Sequence, residues 1–442
     1  MDSTTLALPP RTTTRENQNE FAAVHSLYET LRRLPDSRRR QGKRYELALL
    51  LCLLLLAKLA GQTSLKGATE WIRHRGNAIA DHFGLKRRQM PCQMTYCRML
   101  ACIDPQVLDS LLAAFFVRWE AEQRCASEPS RLQTRQGLLD HAQLALDGKT
   151  LRATTSQPHA VHLLSCYDVT TGSVLWHCNV GEKQNEISAL KPRLTPTLVK
   201  GRIVTLDAMH TQRDLCAKVH HWGGAYVLLA KDNQPTLFED IADLFTDRQP
   251  DTRRWTSAET WDKGHGRLEH RHILCSPDLN DWFAKQWHGV EQVFRLERTA
   301  IILKTGEVRH QVIYGLSNLS LHEAPPTRLL QLIRAHWLIE NRLHWRRDAT
   351  LGEDACQTRT GSVPDLLARL NTTVLCLMDR LGVRNVPRQI RYLDAHLEQA
   401  IQLLLSGHCS VYENGKALEE VLSAQMKNRF PLPYTKGLSN LH

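Results

Sequence analysis

Gln143-Leu144-Ala145-Leu146-Asp147-Gly148-Lys149 and Arg202-Ile203-Val204-Thr205-Leu206-Asp207-Ala208-Met209 carry the decisive pattern of this chain. Each places an aspartate directly behind a short apolar run that reads as a strand. A carboxylate at the end of a buried strand is held rigidly and close to low-dielectric surroundings. Two of them, on neighbouring strands of one sheet, can share divalent metal ions. A lone strand-end aspartate is more often a cap or turn residue, so the weight rests on the pair. A glutamate joining them from a helix would complete the acid set of a metal-dependent phosphoryl-transfer enzyme.

Around these runs the periodicity is that of strands. Residues 142–147, 160–169 and 173–180 read as strands, the last two joined by the turn Thr170-Thr171-Gly172. A helix over 185–198, broken at Pro192, a strand over 202–207, a helix over 211–221 and a strand over 225–231 follow. The order βββαβαβ is the layout of an RNase H-like core, so the fold class is α/β. From 236 to 319 strand-like alternation returns, at 271–275, 292–298, 300–304 and 308–314, and reads as a β-rich insertion in that core. Thr327 is a candidate N-cap for a long helix, and a further helix covers 364–381. The core is expected to span 138–385.

The flanks read as helical. Residues 1–19 are polar and rich in Thr and Arg, and are expected to be disordered. Residues 20–130 form an expected N-terminal helical domain. Its cationic turn, Arg38-Arg39-Arg40-Gln41-Gly42-Lys43-Arg44, suits either a DNA-binding module or a packing domain with a solvated turn. Its third helix, 106–120, has Pro105 in the first turn, and a polar linker covers 121–137. A helical tail is expected over 386–442, with pieces at 389–405 and 416–424. The apolar run Leu47 to Ala57 stops at Lys58 after eleven residues. A bilayer needs about twenty, so the run reads as a core helix, and a cytoplasmic protein without a membrane span is expected.

Composition narrows the partner. Lys and Arg number 57 against 46 Asp and Glu, a net charge of +11 in 442 residues, with a pI near 9.1. Such an excess suits a polyanion, nucleic acid first among them, or belongs simply to a basic protein. The twelve cysteines are scattered without a Cys-x-x-Cys pair. Evenly spaced Cys92, Cys97 and Cys102 lack a second cluster at zinc-ligand spacing, so reduced thiols are expected.

On the helix from Thr327, His336, Glu340 and His344 are spaced i, i+4, i+8 and share a face, to which Arg347 nearly returns. A carboxylate flanked by basic residues suits a place where metal meets DNA phosphate. Three carboxylates from separate elements suit Mg²⁺ or Mn²⁺. Glu353 and Asp354 are rival acids for the third position. Lys149, Arg152, Lys183, Lys231, Arg267 and Arg271, with His336 and Arg347 beside the glutamate, are candidates for phosphate contacts or else solvated surface charge. Trp255, Trp261, Trp337 and Trp345 could stack on an unpaired base, with a core position favoured for Trp337.

Several stretches together resemble a known family. Ala145-Leu146-Asp147-Gly148-Lys149-Thr150-Leu151-Arg152 resembles the first-aspartate motif of DDE transposases from bacterial insertion sequences, in the branch that includes the H-repeat-associated proteins. Glu182-Lys183-Gln184-Asn185-Glu186-Ile187, Thr205-Leu206-Asp207-Ala208-Met209-His210, Gly264-His265-Gly266-Arg267-Leu268-Glu269-His270-Arg271 and His336-Trp337-Leu338-Ile339-Glu340-Asn341-Arg342-Leu343-His344-Trp345 are similar to further motifs of that branch. Residues 36–71 resemble the helical domain that accompanies its core, so the likeness covers about 30–385. The resemblance implies Asp147, Asp207 and Glu340 as ligands of two Mg²⁺ or Mn²⁺ ions. It also implies cutting and joining of double-stranded DNA at element ends, with water and then a 3′-hydroxyl as nucleophiles. Two copies of the chain paired on DNA are implied too. Arg347 would fill the basic position seven residues after the glutamate, although Trp345-Arg346-Arg347-Asp348-Ala349 departs from the usual Trp-x-Leu-Asp-Val. The alternatives are a nuclease that cuts without joining and a DNA-binding descendant that has lost catalysis.

Overall fold

The computed structural model describes residues 26–127, 143–154, 160–181, 185–231, 233–247, 254–359, 361–413 and 416–418. The expected disordered start and the last part of the expected tail lie outside them. The chain divides into two compact units, one of residues 1–102 with 377–442 and one of residues 103–376. This partition differs from the expected segments. The helix Pro105–Ser127 groups with the second unit, and the C-terminal helices group with the N-terminal ones.

The second unit is built on one nine-stranded sheet. In chain order its strands are β1 (Gln143–Thr150), β2 (His162–Asp168), β3 (Ser173–Asn179), β4 (Ile203–Leu206), β5 (Ala225–Ala230), β6 (Thr256–Gly264), β7 (Arg267–Ser276), β8 (Gln292–Ile302) and β9 (Val308–Ser317). Across the sheet they run β3-β2-β1-β4-β5-β9-β8-β7-β6. β1, β4 and β5 are parallel, and every other pairing is antiparallel. The order βββαβαβ holds, with helices Glu186–Leu190, Pro196–Val199 and Arg213–His221 between strands. The expected insertion is no separate body. β9 pairs with β5, from Val227 with Ser317 to Ala230 with Tyr314, so β6–β9 widen the same sheet. Gly315 permits this join, because a Cβ there would lie 2.3 Å from both Leu228 O and the Phe294 ring.

Both faces of the parallel centre are covered, which is why β4 and β5 are apolar at nearly every position and fully buried. One face carries Leu144, Leu146, Val204, Leu206, Tyr226 and Leu228 against Leu215, Val219, Ile241 and Trp287. The other carries Ile203, Val227 and Leu229 against Leu329, Leu330 and Ile333 of the helix Pro326–His336. Side chains alternate along a strand, so Asp147 and Asp207, each one position beyond a leucine of the first face, belong to the face covered by the helix Pro326–His336.

Several elements differ from expectation. A helix, Pro235–Asp247, occupies the start of the region that reads as strand-like. The two runs 292–298 and 300–304 are one strand, β8, and β6 is an additional strand. The helix Pro105–Ser127 runs past the expected linker start. Thr327 is not the cap: Pro325 holds that place and Pro326 opens the helix, where a missing N–H costs nothing.

In the first unit the helix Leu47–Leu59 is buried along its whole length, Lys58 included. Its neighbours are the helices Leu27–Leu31, Leu65–His74, Val386–Ala395 and Leu397–Ser406. Trp71 donates its indole N–H to Asp394 over 2.7 Å, and Arg75 pairs with the same carboxylate at 2.9 Å. Residues 416–418, expected to be helical, form a strand paired with Val411–Glu413. Among the described residues no single helix is long and apolar enough to cross a membrane.

Candidate active site

β1 and β4 run parallel with Leu146 opposite Leu206, so Asp147 and Asp207 leave adjacent strands at equivalent positions. Neighbouring strands are about 4.8 Å apart, which sets the two backbones close together at one edge. Asp207 leaves the strand, opens the 3-10 turn Ala208–His210 and accepts a hydrogen bond from the Ala208 N–H. Lys231, at the end of β5, lies 3.4 Å from its Oδ1.

The helix Pro326–His336 is fastened across these strands by buried polar contacts. Gln143 donates to the Leu332 carbonyl over 2.8 Å and to Thr205 Oγ1 over 3.2 Å. Thr205 Oγ1 in turn meets His336 Nδ1 at 3.1 Å. Burial pushes the His336 imidazole down from its ordinary value, although Asp147 and Asp207 both pull it upward. His336 therefore senses both carboxylates at once.

Beyond His336 the helix loosens into a π turn, Ile339–His344, before the short helix Trp345–Ala349. Such turns shift the phase of the faces that follow, and they recur at functional sites. His344 Nε2 lies 3.3 Å from Asp147 Oδ2. Burial pushes the Asp147 carboxyl up, but His344 and His336 outweigh it and hold it below the usual carboxylate range. Glu340 is exposed and lines a cavity of about 510 Å³ over β7, β8 and β9. Histidines 336 and 344 thus share the strand-end side, while Glu340 stands on the rim of the cavity. Among the described residues no three His, Cys, Asp or Glu side chains form a ready-made metal cage. The two aspartates nonetheless offer the hard oxygen donors that Mg²⁺ or Mn²⁺ prefers, in register on one edge.

The cavity holds an arginine cluster that the sequence only half discloses. To Arg267 and Arg271, the two candidates from sequence, strand pairing and helix placement add Arg298 and Arg334. Nearly buried Glu269 receives Arg267 at 3.2 Å, Arg298 at 2.6 Å and Arg271. Asp262 takes Arg271 at 2.6 Å and Arg334 at 3.0 Å. Four guanidiniums around two carboxylates leave N–H donors over, and the exposed Trp337 completes the wall. Trp337, for which a core position is expected, is 47% exposed; Trp261 and Trp345 are exposed, and Trp255 is the buried one.

Other candidates are placed differently. Arg347 has no exposed side-chain surface and is bound to Glu353, Nη2 to Oε1 at 2.7 Å. A guanidinium so held does not reach a phosphate, which corrects its assignment as a DNA contact. Glu353, also bound by Asn371 at 3.0 Å, is spent on that pair and is no rival metal ligand. Lys149 is mostly buried against Asp348, and Asp354 lies near Lys149 and 3.4 Å from the exposed Arg152. Lys183 lies outside the described residues.

Two family models match the chain. Residues 28–116 match the family described as DDE_Tnp_1-associated, and residues 139–377 match the family described as Transposase DDE domain. Protein YbfL of Escherichia coli strain K12 is 28% identical over 380 residues, which cover 83% of this chain and 94% of that protein. The "H repeat-associated putative transposase YhhI" of the same strain is 28% identical over 382 residues, with the same coverage. A protein in the dhlA 3′ region of Xanthobacter autotrophicus is 31% identical over 269 residues, covering 60% of this chain and 85% of that one. With more than half of its length matched by the domain model, this chain belongs to the transposase DDE-domain family.

Proposed function

We propose that this chain cuts double-stranded DNA at the ends of an insertion sequence and joins those ends to a target, through an RNase H-like core. The observation that carries this reading is the in-register placement of Asp147 and Asp207 on adjacent parallel strands, beneath the helix that leads to Glu340. Asp147, Asp207 and Glu340 would hold Mg²⁺ or Mn²⁺. Such ions, when bound, activate the attacking oxygen and stabilise the leaving one.

The remaining work belongs to the chain itself. His336 and His344 flank the two aspartates; burial pushes both imidazoles down, which favours their neutral form, so they act there by hydrogen bonding and placement rather than as cations. Arg267, Arg271, Arg298 and Arg334 supply phosphate contacts beside Glu340, and Lys231 beside Asp207 and the exposed Arg152 beside Asp354 supply further ones. These contacts orient the backbone without reading its sequence.

Asp207→Ala tests the proposal. It should abolish Mg²⁺-dependent cleavage of a DNA carrying the element ends, with binding of that DNA retained. Cleavage surviving in the variant would refute the assignment. A strand-transfer assay with a pre-cut end separates a transposase, which joins it, from a nuclease, which does not.

A further inference from the structure

Glu186 lies in a stretch that the proposed chemistry leaves unused. It is the first residue of the helix Glu186–Leu190, which Asn185 caps through a reciprocal bond with Ser188. Its carboxylate has two partners. Oε1 accepts from His162 Nε2 at 2.7 Å, and Oε2 faces His210 Nε2 at 2.9 Å. His162 opens β2, and its Nδ1 meets Thr150 Oγ1 of β1 at 2.7 Å. His210, with 1% of its surface exposed, closes the 3-10 turn that Asp207 opens. Gly148, next to Asp147, leaves the room: a Cβ there would lie 2.4 Å from Glu186 Oε1 and 2.6 Å from His162 Nε2.

A carboxylate that is 13% exposed is costly to hold unless it is partnered, and here an imidazole nitrogen stands within 3 Å of each oxygen. Burial pushes Glu186 up, yet the two imidazoles outweigh it and bring its pKa down to about 2, so it stays ionised. Its position is opposite to the reacting edge. Gly148 and Thr150 alternate with Asp147, so Glu186 backs the face of β1 that Asp147 does not use. Its oxygens are already taken by histidines, which sets it apart from the three proposed ligands.

We infer that Glu186 is a positioning residue, which ties the segment after Asp147 to the turn after Asp207 through His162 and His210 and so fixes the spacing of the two aspartates. This inference rests on the transposase reading. Outer partners of metal ligands typically change affinity or activity about 10- to 100-fold when removed.

The test uses the full chain with Glu186→Gln, measuring Mn²⁺ affinity by electron paramagnetic resonance, DNA affinity and cleavage rate. Expected is a loss of about tenfold or more in Mn²⁺ affinity and in kcat, with DNA affinity unchanged. A variant that binds Mn²⁺ and cleaves like wild type overturns the inference and leaves the transposase reading standing. Wild type that neither binds Mn²⁺ nor cuts overturns both. If Glu186→Gln does not fold, Gly148→Ala, which pushes the carboxylate off its partners, takes its place. Mn²⁺ affinity and cleavage equal to wild type in that folded variant overturn the inference equally.

Discussion

Arg347 and Glu353 form a charge pair whose guanidinium has no exposed surface. Burial pushes the Glu353 carboxyl up, but Arg347 and Asn371 outweigh it and keep it below the ordinary range. Removing one member strands the other, which costs about 3–5 kcal/mol, whereas replacing both with apolar groups can be neutral. Arg347→Met should therefore lower stability by roughly that amount, and Arg347→Met with Glu353→Leu should recover most of it, as thermal unfolding would record. Because the folded carboxyl is depressed, the pair's contribution is present above the usual Glu range near 4.5 and fades as pH falls below it. The double variant should lose that part of the acid sensitivity. DNA affinity in salt titrations should stay unchanged in the double variant; a drop would return Arg347 to the phosphate contacts. Spacing alone puts Arg347 on the face of Glu340. What spacing cannot contain is the π turn between them, which changes the phase by a fraction of a turn and sends one residue to the surface and the other to the core.

Elements are legible where their pattern is local. The strands around Asp147 and Asp207 follow from apolar runs ending in turn residues, and a helix before β4 and before β5 lets each return parallel to its neighbour. The helix Pro235–Asp247 carries the helical period in Leu237, Ile241 and Leu244, yet it adjoins a long stretch of strand-like alternation that masks so short a signal. The arginine cluster is half hidden for a different reason. Arg298 reaches Arg271 by cross-strand register, and Arg334 arrives on a helix, so neither neighbour is near in the chain. The cluster makes an element-level prediction. If its surplus N–H groups hold phosphates, Arg298→Gln with Arg334→Gln should weaken binding to all DNA sequences alike. The slope of log K against log salt should flatten by about 0.9 for each phosphate no longer neutralised. An unchanged slope in a folded variant would show that the cavity holds something other than the DNA backbone.

At the scale of the whole molecule, the first unit draws on both ends of the chain while the second is continuous. The helix Leu47–Leu59 has apolar residues on every side, and such a helix is stable in water only when neighbours cover it. Part of that cover comes from Val386–Ala395 and Leu397–Ser406, which bury Ile390, Leu393, Ile401, Leu403 and Leu404. Each such side chain contributes about 1.5–3 kcal/mol, so the five together match the whole stability of an ordinary domain, about 5–15 kcal/mol. Units with separate cores are expected to unfold in separate steps, so calorimetry of the full chain should resolve two transitions. A chain ended after Leu381 should lack one of them and bind a dye for exposed apolar surface. The other transition should persist, and Arg347→Met should shift that one alone. Two transitions surviving the truncation would mean that the N-terminal helices cover their own core without the C-terminal pair.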